Sequence, residues 1–195
     1  SYDWRQRATG GILARQSGQQ DRSAARPTNP MLSLVTGKSS VRPAAVAGVF
    51  YPQDAAELRD TVLRLLGDAA PHRAVHAPTK ALIVPHAGYA YSGMVAASAY
   101  RRLRESCAAI RNVVLIGPSH RVPMRGLAMP SVDAFETPLG EIPIDRVARQ
   151  RLRELGLAGI SDAAHAAEHS LEVQLPFLQA VLDDHSQLDR DALGT

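Results

Sequence analysis

Apolar positions recur at helical spacing in three places along this chain. Leu58, Val62, Leu65 and Leu66 lie on one face of a helix. Asp54 stands ahead of that helix as an N-cap with Glu57 three residues on, and Gly67 is its expected stop. Met94 to Glu105 reads as a second helix, capped by Ser92, with small Ala97, Ser98 and Ala99 on the packed side and Arg101, Arg102 and Arg104 at its exposed end. Leu171, Leu175, Leu178 and Leu182 form a third stripe, which Pro176 is expected to kink or restart.

Between these stripes the pattern turns continuous. Ala81-Leu-Ile-Val84 and Val113-Val-Leu-Ile116 are short unbroken apolar runs of the kind that parallel strands buried on both faces require. With the intervening helix they make a βαβ unit of about 35 residues. Leu127-Ala-Met129 and Ala158-Gly-Ile160 are brief strand candidates. Ala134–Thr137 and Glu141–Ile144 flank a Pro138-Leu-Gly140 turn as a hairpin, whose Pro143 asks for a sheet edge. Asp145 caps a further helix through Leu155, with Val147 and Leu152 expected inward. The fold class expected is α/β: a mostly parallel sheet flanked by helices, incomplete at its C-terminus, since only two clear parallel strands precede the end of the pattern.

Three regions follow. Residues 1–40 are Ser-, Gln-, Gly- and Arg-rich without periodicity, and are read as a disordered or non-native extension, with Met31 standing where a natural start would fall. Residues 41–182 carry the domain, and 183–195 are a polar tail. Val41 to Pro52 reads as an extended segment laid over the core. The loop from Pro71 to Pro78 contains His72 and His76, both expected to be solvated.

Charge changes the picture little. The chain carries a formal +3, but residues 1–42 alone contribute +5, leaving −2 for the remainder. A nucleic-acid partner would therefore rest on the tail alone, without a basic stripe or aromatic platform. No stretch approaches the roughly 20 apolar residues of a membrane span, and the polar, Arg-bearing N-terminal segment lacks the apolar core expected of a secretory signal. One cysteine, Cys107, excludes an internal disulfide; with no activating pattern beside it, it is read as a structural thiol. A reducing, cytoplasmic setting is expected.

The candidate chemistry lies just after the two apolar runs. His86 follows the first, in Pro85-His-Ala-Gly-Tyr-Ala-Tyr-Ser-Gly93, and His120 ends Gly117-Pro-Ser-His120. Both would leave the carboxyl ends of parallel strands, the edge where open α/β sheets place ligands. Neutral imidazoles are good ligands for Fe, Zn, Cu or Ni, and an acid from Glu168 or Glu172, four apart on one helical face, would complete a mononuclear set. The competing reading leaves His120 holding a loop and His86 bonding a backbone carbonyl. Ser119 lacks a nucleophile elbow, no phosphate-binding Gly loop is present, and one cysteine makes no zinc knuckle.

Four segments in order, Arg42–Pro52, Pro85–Gly93, Gly117–His120 and Glu168-His-Ser-Leu-Glu-Val-Gln-Leu-Pro-Phe-Leu178, resemble the Memo family, whose bacterial and archaeal members are called AmmeMemoRadiSam system protein B. The resemblance spans about Val41 to Leu182. It implies a fold similar to LigB-type class III extradiol dioxygenases, which are non-haem iron enzymes. It also implies that His86 and His120 are the metal ligands of the pocket, and that His169, Glu168 and Glu172 lie near it as acid–base or supporting groups. The implied cofactor is a divalent transition metal, Fe foremost with Cu or Zn open.

The implied function is a metal-dependent redox or oxygenase-like activity on a small molecule. The alternatives are a non-catalytic module that holds a peptide or anion between Tyr89, Tyr91 and the Gly88 and Gly117 amides, or an accessory protein to a radical-SAM partner. Family members continue for roughly a further third of a domain, with an Asp/His motif and a cysteine that joins the site. Cys107 is misplaced to replace that cysteine. A truncated chain is therefore expected, with an incomplete metal site.

Overall fold

The computed structural model describes residues 40–70 and 79–183. The expectations for the N-terminal extension, for His72 and His76, and for the tail beyond Asp183 lie outside the described residues.

Helix α1 (Ala55–Asp68) forms as its apolar pattern requires, running through the expected stop at Gly67 to end at Asp68 with Ala69 as its C-cap. The Asp54 carboxylate accepts the Glu57 N–H at 2.9 Å, and Leu58, Val62, Leu65 and Leu66 are buried. Helix α2 (Tyr89–Tyr100) packs across it and passes into a 3-10 segment, Arg101–Ala109. The two helices close tightly at Gly93, where a Cβ would lie 2.9 Å from Leu65 Cδ1. Arg101 does not serve the end of its own helix: its guanidinium donates to the Leu66, Gly67 and Ala69 carbonyls at the end of α1.

Three more helices follow: α3 (Arg146–Glu154), α4 (Asp162–Ala166) and α5 (Leu175–Asp183). A 3-10 turn, Glu172–Gln174, leads into α5, and Pro176 sits in its first turn, where a missing N–H costs nothing. Proline thus restarts this helix. The core is the meeting of α1, α2 and α5, centred on fully buried Phe177, whose ring lies 4.9 Å from Tyr89 and stacks at 5.2 Å on Tyr100. Burying one such side chain contributes about 1.5–3 kcal/mol. The tyrosines' polar ends are satisfied, Tyr89 by the Val173 carbonyl and Tyr100 by Gln174 Oε1, each at 2.9 Å. Burial drives both phenol pKa values upward.

Among the described residues, five short strands make two sheets. β1 (Val41–Arg42) pairs in parallel with β3 (Ala134–Thr137), which pairs antiparallel with β4 (Gly140–Pro143), in the order β1-β3-β4. The expected hairpin is present, and Pro143 lies on its outer strand. β2 (Leu127–Met129) and β5 (Ala158–Ile160) form a parallel pair. The architecture is mixed α/β with two of its three strand pairings parallel.

Three expectations differ from the structure. The runs Ala81–Val84 and Val113–Ile116 enter no strand ladder among the described residues. They wall an open groove of about 380 Å³ over Leu103, Gln174 and Leu178. Ile83 is fully exposed, and Val114 and Ile116 are largely so. A ladder needs a partner backbone within hydrogen-bonding reach, and an apolar run cannot provide its own. Helix α2 begins five residues earlier than its apolar pattern, at Tyr89 with Gly88 as N-cap, while the Ser92 hydroxyl donates back to the Ala87 carbonyl. Finally, α3 buries none of its residues, and Val147 is exposed, since no described element covers that face.

Candidate metal centre

The segment Glu168–Gln174 gathers the other site segments by one side chain each. Ser170 Oγ donates to the Pro118 carbonyl at 2.8 Å, and Gln174 Nε2 donates to the Pro85 carbonyl at 3.0 Å. Each of these prolines comes shortly before one of the candidate histidines. Gly117 permits the approach: a Cβ there would meet Ser170 Oγ at 2.8 Å. The chain on both sides of the groove is therefore tied to one turn.

The result is a cluster of three imidazoles. His86, His120 and His169 each offer a ring nitrogen, and the three atoms lie within 4.8 Å of one another. Ring centroids are 5.2 Å apart for His86 and His120, 5.8 Å for His86 and His169, and 4.6 Å for His120 and His169, whose planes are nearly parallel. Phe50 covers the back of His169 at 4.5 Å.

Glu168 organises two of the rings. Its Oε2 accepts the His120 backbone N–H at 2.6 Å, and its Oε1 lies 2.9 Å from His120 Nδ1 and 3.3 Å from His169 Nδ1. Oε1 also accepts the backbone N–H groups of His169 and Ser170. Burial alone would raise this carboxyl, but the donors from His120, Ser170 and His169 outweigh it and hold the pKa at about 2. Glu168 is thus an anion at any ordinary pH. With both Nδ1 edges turned to one carboxylate, Nε2 is the atom each ring has left for an ion. Burial lowers the pKa of His169, with the neighbouring His120, His86 and Arg121 acting in the same direction against Glu168, so its neutral, ligating form is favoured.

Glu172 stands elsewhere. It is 0 % exposed, and its carboxylate takes Arg42 Nη1 at 2.7 Å, the Ala45 and Val46 N–H groups, and the Tyr51 hydroxyl at 2.6 Å. It makes no hydrogen bond to any of the three histidines among the described residues. Arg42, also buried, spends its remaining donors on the His165 and Glu168 carbonyls, both at 2.7 Å, and lies over the Phe135 ring. Burial and the Glu172 charge push the Tyr51 phenol far above its ordinary pKa. This network fastens the 42–51 segment under the site turn.

Other candidates resolve simply. Ser119 Oγ donates to the Val122 carbonyl, and Cys107 is buried with its thiol on the Arg104 carbonyl. Tyr89 is spent in the core, whereas Tyr91 is exposed. Arg42, Phe50, Ser170 and Gln174 were not singled out as site-building residues from sequence, although all four lie in the segments that carry the resemblance. Residue type within a motif was the available signal; the contact each makes was not.

The model of the Memo-like protein family matches residues 42–188. The chain belongs to the Memo family. A MEMO1 family protein of Aquifex aeolicus (strain VF5) is 43% identical over 139 residues, covering 71% of this chain and 49% of that protein. One from Ignicoccus hospitalis is 44% identical over 154 residues, covering 74% and 53%. The Protein memo-1 homolog of Caenorhabditis elegans is 33% identical over 157 residues, covering 80% and 43%. The chain spans about half the length of the curated Memo relatives it matches. All three histidines and Glu168 fall inside the Memo match.

The donor set suits a metal. Three imidazoles form a ligand group that Fe, Cu, Zn or Ni accepts, and a carboxylate behind a ligating histidine is the usual device for fixing its tautomer and orientation. No described helix is long and apolar enough to cross a membrane.

Proposed function

We propose that this chain carries a metal centre held by His86, His120 and His169, and that the centre serves redox or oxygenase-like chemistry on a small molecule. The observation that supports it is the convergence of three imidazole nitrogens within 4.8 Å, with Glu168 backing two of the rings. His169 is read as a ligand as well as a site residue, extending the pair His86 and His120 to three. Iron is the first candidate, with copper and zinc next, because imidazole nitrogen binds all three. Such an ion supplies one-electron redox or Lewis-acid chemistry when bound.

The chain's own residues divide the remaining work. Glu168 is a positioning residue: held as an anion down to about pH 2, it accepts from His120 and turns Nε2 outward. Phe50 shields one face of His169 from water. Glu172, with every oxygen engaged inside the fold, supports the turn on which Glu168 and His169 sit and takes no part in proton transfer.

Titration of the metal-free protein with Fe(II), Cu(II) and Zn(II) by calorimetry tests the reading. One equivalent is expected to bind, and a variant with His86→Ala, His120→Ala and His169→Ala together is expected to bind none. Equal binding by that triple variant would overturn it.

A further inference from the structure

Two of the three histidines are held directly by Glu168, whose carboxylate faces the backbone N–H and the ring Nδ1 of both His120 and His169. His86 has no such partner. Its ring stands beside the other two but makes no hydrogen bond or ion pair among the described residues. Its place is set through its backbone. On the C-terminal side α2 supplies the hold: the Ser92 hydroxyl donates to the Ala87 carbonyl at 3.1 Å, and the Tyr89 N–H to the Phe50 carbonyl at 2.8 Å.

On the N-terminal side a single bond does this. Residues 79–85 enter no ladder, and among the described residues they make one hydrogen bond, from Gln174 Nε2 to the Pro85 carbonyl at 3.0 Å. That carbonyl lies in the peptide plane that carries His86 N and Cα. The proline ring fixes the φ on its other side. Holding the carbonyl therefore sets the direction in which His86 leaves the chain. Gln174 is itself held. It is 4% exposed, and a carbonyl only accepts, so Nε2 must face Pro85 and Oε1 is left to accept the Tyr100 hydroxyl at 2.9 Å. Tyr100 is buried and stacks on Phe177 at the centre of the core.

We propose that Gln174 is the positioning residue of His86, with Tyr100 fixing the direction of its amide. The three-histidine cluster then has two separate supports, Glu168 for His120 and His169, and Gln174 for His86. The proposal rests on the metal-centre reading above and assigns the group that brings its third imidazole into place.

A double-mutant cycle on the full chain tests it, with Co(II) affinity read from the visible absorption of the cobalt. Gln174→Met keeps the bulk of the side chain and removes both bonds, and is expected to weaken Co(II) binding about tenfold. His86→Ala is expected to bind Co(II) more weakly through His120 and His169. Adding Gln174→Met to it should cost less than about twofold more, because a residue that acts through another is silent once that other is gone. General loosening of the turn would weaken Co(II) binding equally in both backgrounds. That result, or undiminished affinity in Gln174→Met, would overturn the proposal while leaving the metal centre standing.

The metal-free protein gives a second readout, the imidazole Cε1–H signals in NMR spectra at fixed pH. Gln174→Met is expected to shift the His86 signal and spare those of His120 and His169. Should that variant not fold, Tyr100→Phe, which keeps the ring on Phe177 and releases only the amide oxygen, is expected to do the same to a smaller extent. Equal shifts of all three signals, or none, would overturn the proposal. Failure of the wild-type chain to take up Co(II) would defeat the metal-centre reading, and the His86 signal would then decide the role of Gln174 by itself.

Discussion

Glu168 grips His120 at two points, the backbone N–H at 2.6 Å and the ring Nδ1 at 2.9 Å, with the two oxygens of one carboxylate. The residues are 48 positions apart in the chain. The grip fixes both the height of the loop after Ile116 and the rotation of the imidazole, so the geometry of the three-histidine cluster depends on one turn.

Replacing Glu168 by Gln keeps the volume and removes the anion. The amide nitrogen then faces a donor on one side. Metal affinity is expected to fall 10–100-fold, the usual cost of losing a carboxylate behind a ligating histidine. Stability is expected to drop by about 1–3 kcal/mol from the donors left unpaired. Calorimetric metal titration and urea unfolding measure the two separately. Unchanged metal affinity would show that the ring needs no such support.

Acid should loosen the same turn in two stages. A carboxyl held at about 2 in the fold, against an ordinary 4.5, binds fewer protons folded than unfolded between those values. Its stabilisation is therefore complete above about pH 4.5 and is lost as pH falls through 2, an amount on the order of 3 kcal/mol. His165 is lowered from 6.5 chiefly by burial, which outweighs the opposing hydrogen bond of its Nε2 with the Ala128 carbonyl. It resists protonation in the fold, so its contribution is complete above pH 6.5 and shrinks as pH falls below that. Urea midpoints across pH 8 to 3 should decline in an upper stage that His165→Phe diminishes and a lower one that Glu168→Gln diminishes. A Glu168→Gln profile parallel to wild type below pH 4.5 would sink the assignment.

The Arg42–Glu172 pair predicts a different pattern. Arg42→Met leaves an anion fully buried with only Tyr51 and two backbone donors, and should cost about 3–5 kcal/mol. Arg42→Met with Glu172→Gln should be the milder change, since the stranded charge is gone. Metal affinity per folded molecule should stay within a few-fold in Glu172→Gln, measured beside Glu168→Gln. A loss as large as that of Glu168→Gln would place Glu172 in the site's chemistry after all.

The groove between residues 81–84 and 113–116 presents exposed Ile83, Val114 and Ile116 on backbone that joins no ladder among the described residues. Such surfaces associate with other chains. Ile83→Lys with Val114→Lys should lower concentration-dependent light scattering while shifting stability by less than about 0.5 kcal/mol, as exposed positions do. Scattering that stays the same would mean that association, if any, uses another face.

What the sequence determined by itself was local. The Asp54 and Asp145 caps, the α1 stripe, the 134–143 hairpin and the restart at Pro176 depend on residues within a few positions of each other, and all are present. The Memo pattern likewise named the segments that carry the histidines. Tertiary structure decided the rest. Glu168 and Glu172 were expected on one helical face, but Glu168 lies ahead of the helical turn, whose first backbone bond runs from the Val173 N–H to the His169 carbonyl, so the four-residue spacing does not align them. One carboxylate goes to His120 and the other to Arg42. The two apolar runs had the composition of buried strands, yet pairing depends on a distant backbone that composition does not specify. His169 joined His86 and His120 because Ser170 and Gln174 bind the Pro118 and Pro85 carbonyls. Those bonds close loops of 52 and 89 residues, and no periodicity along a chain encodes contacts at that range.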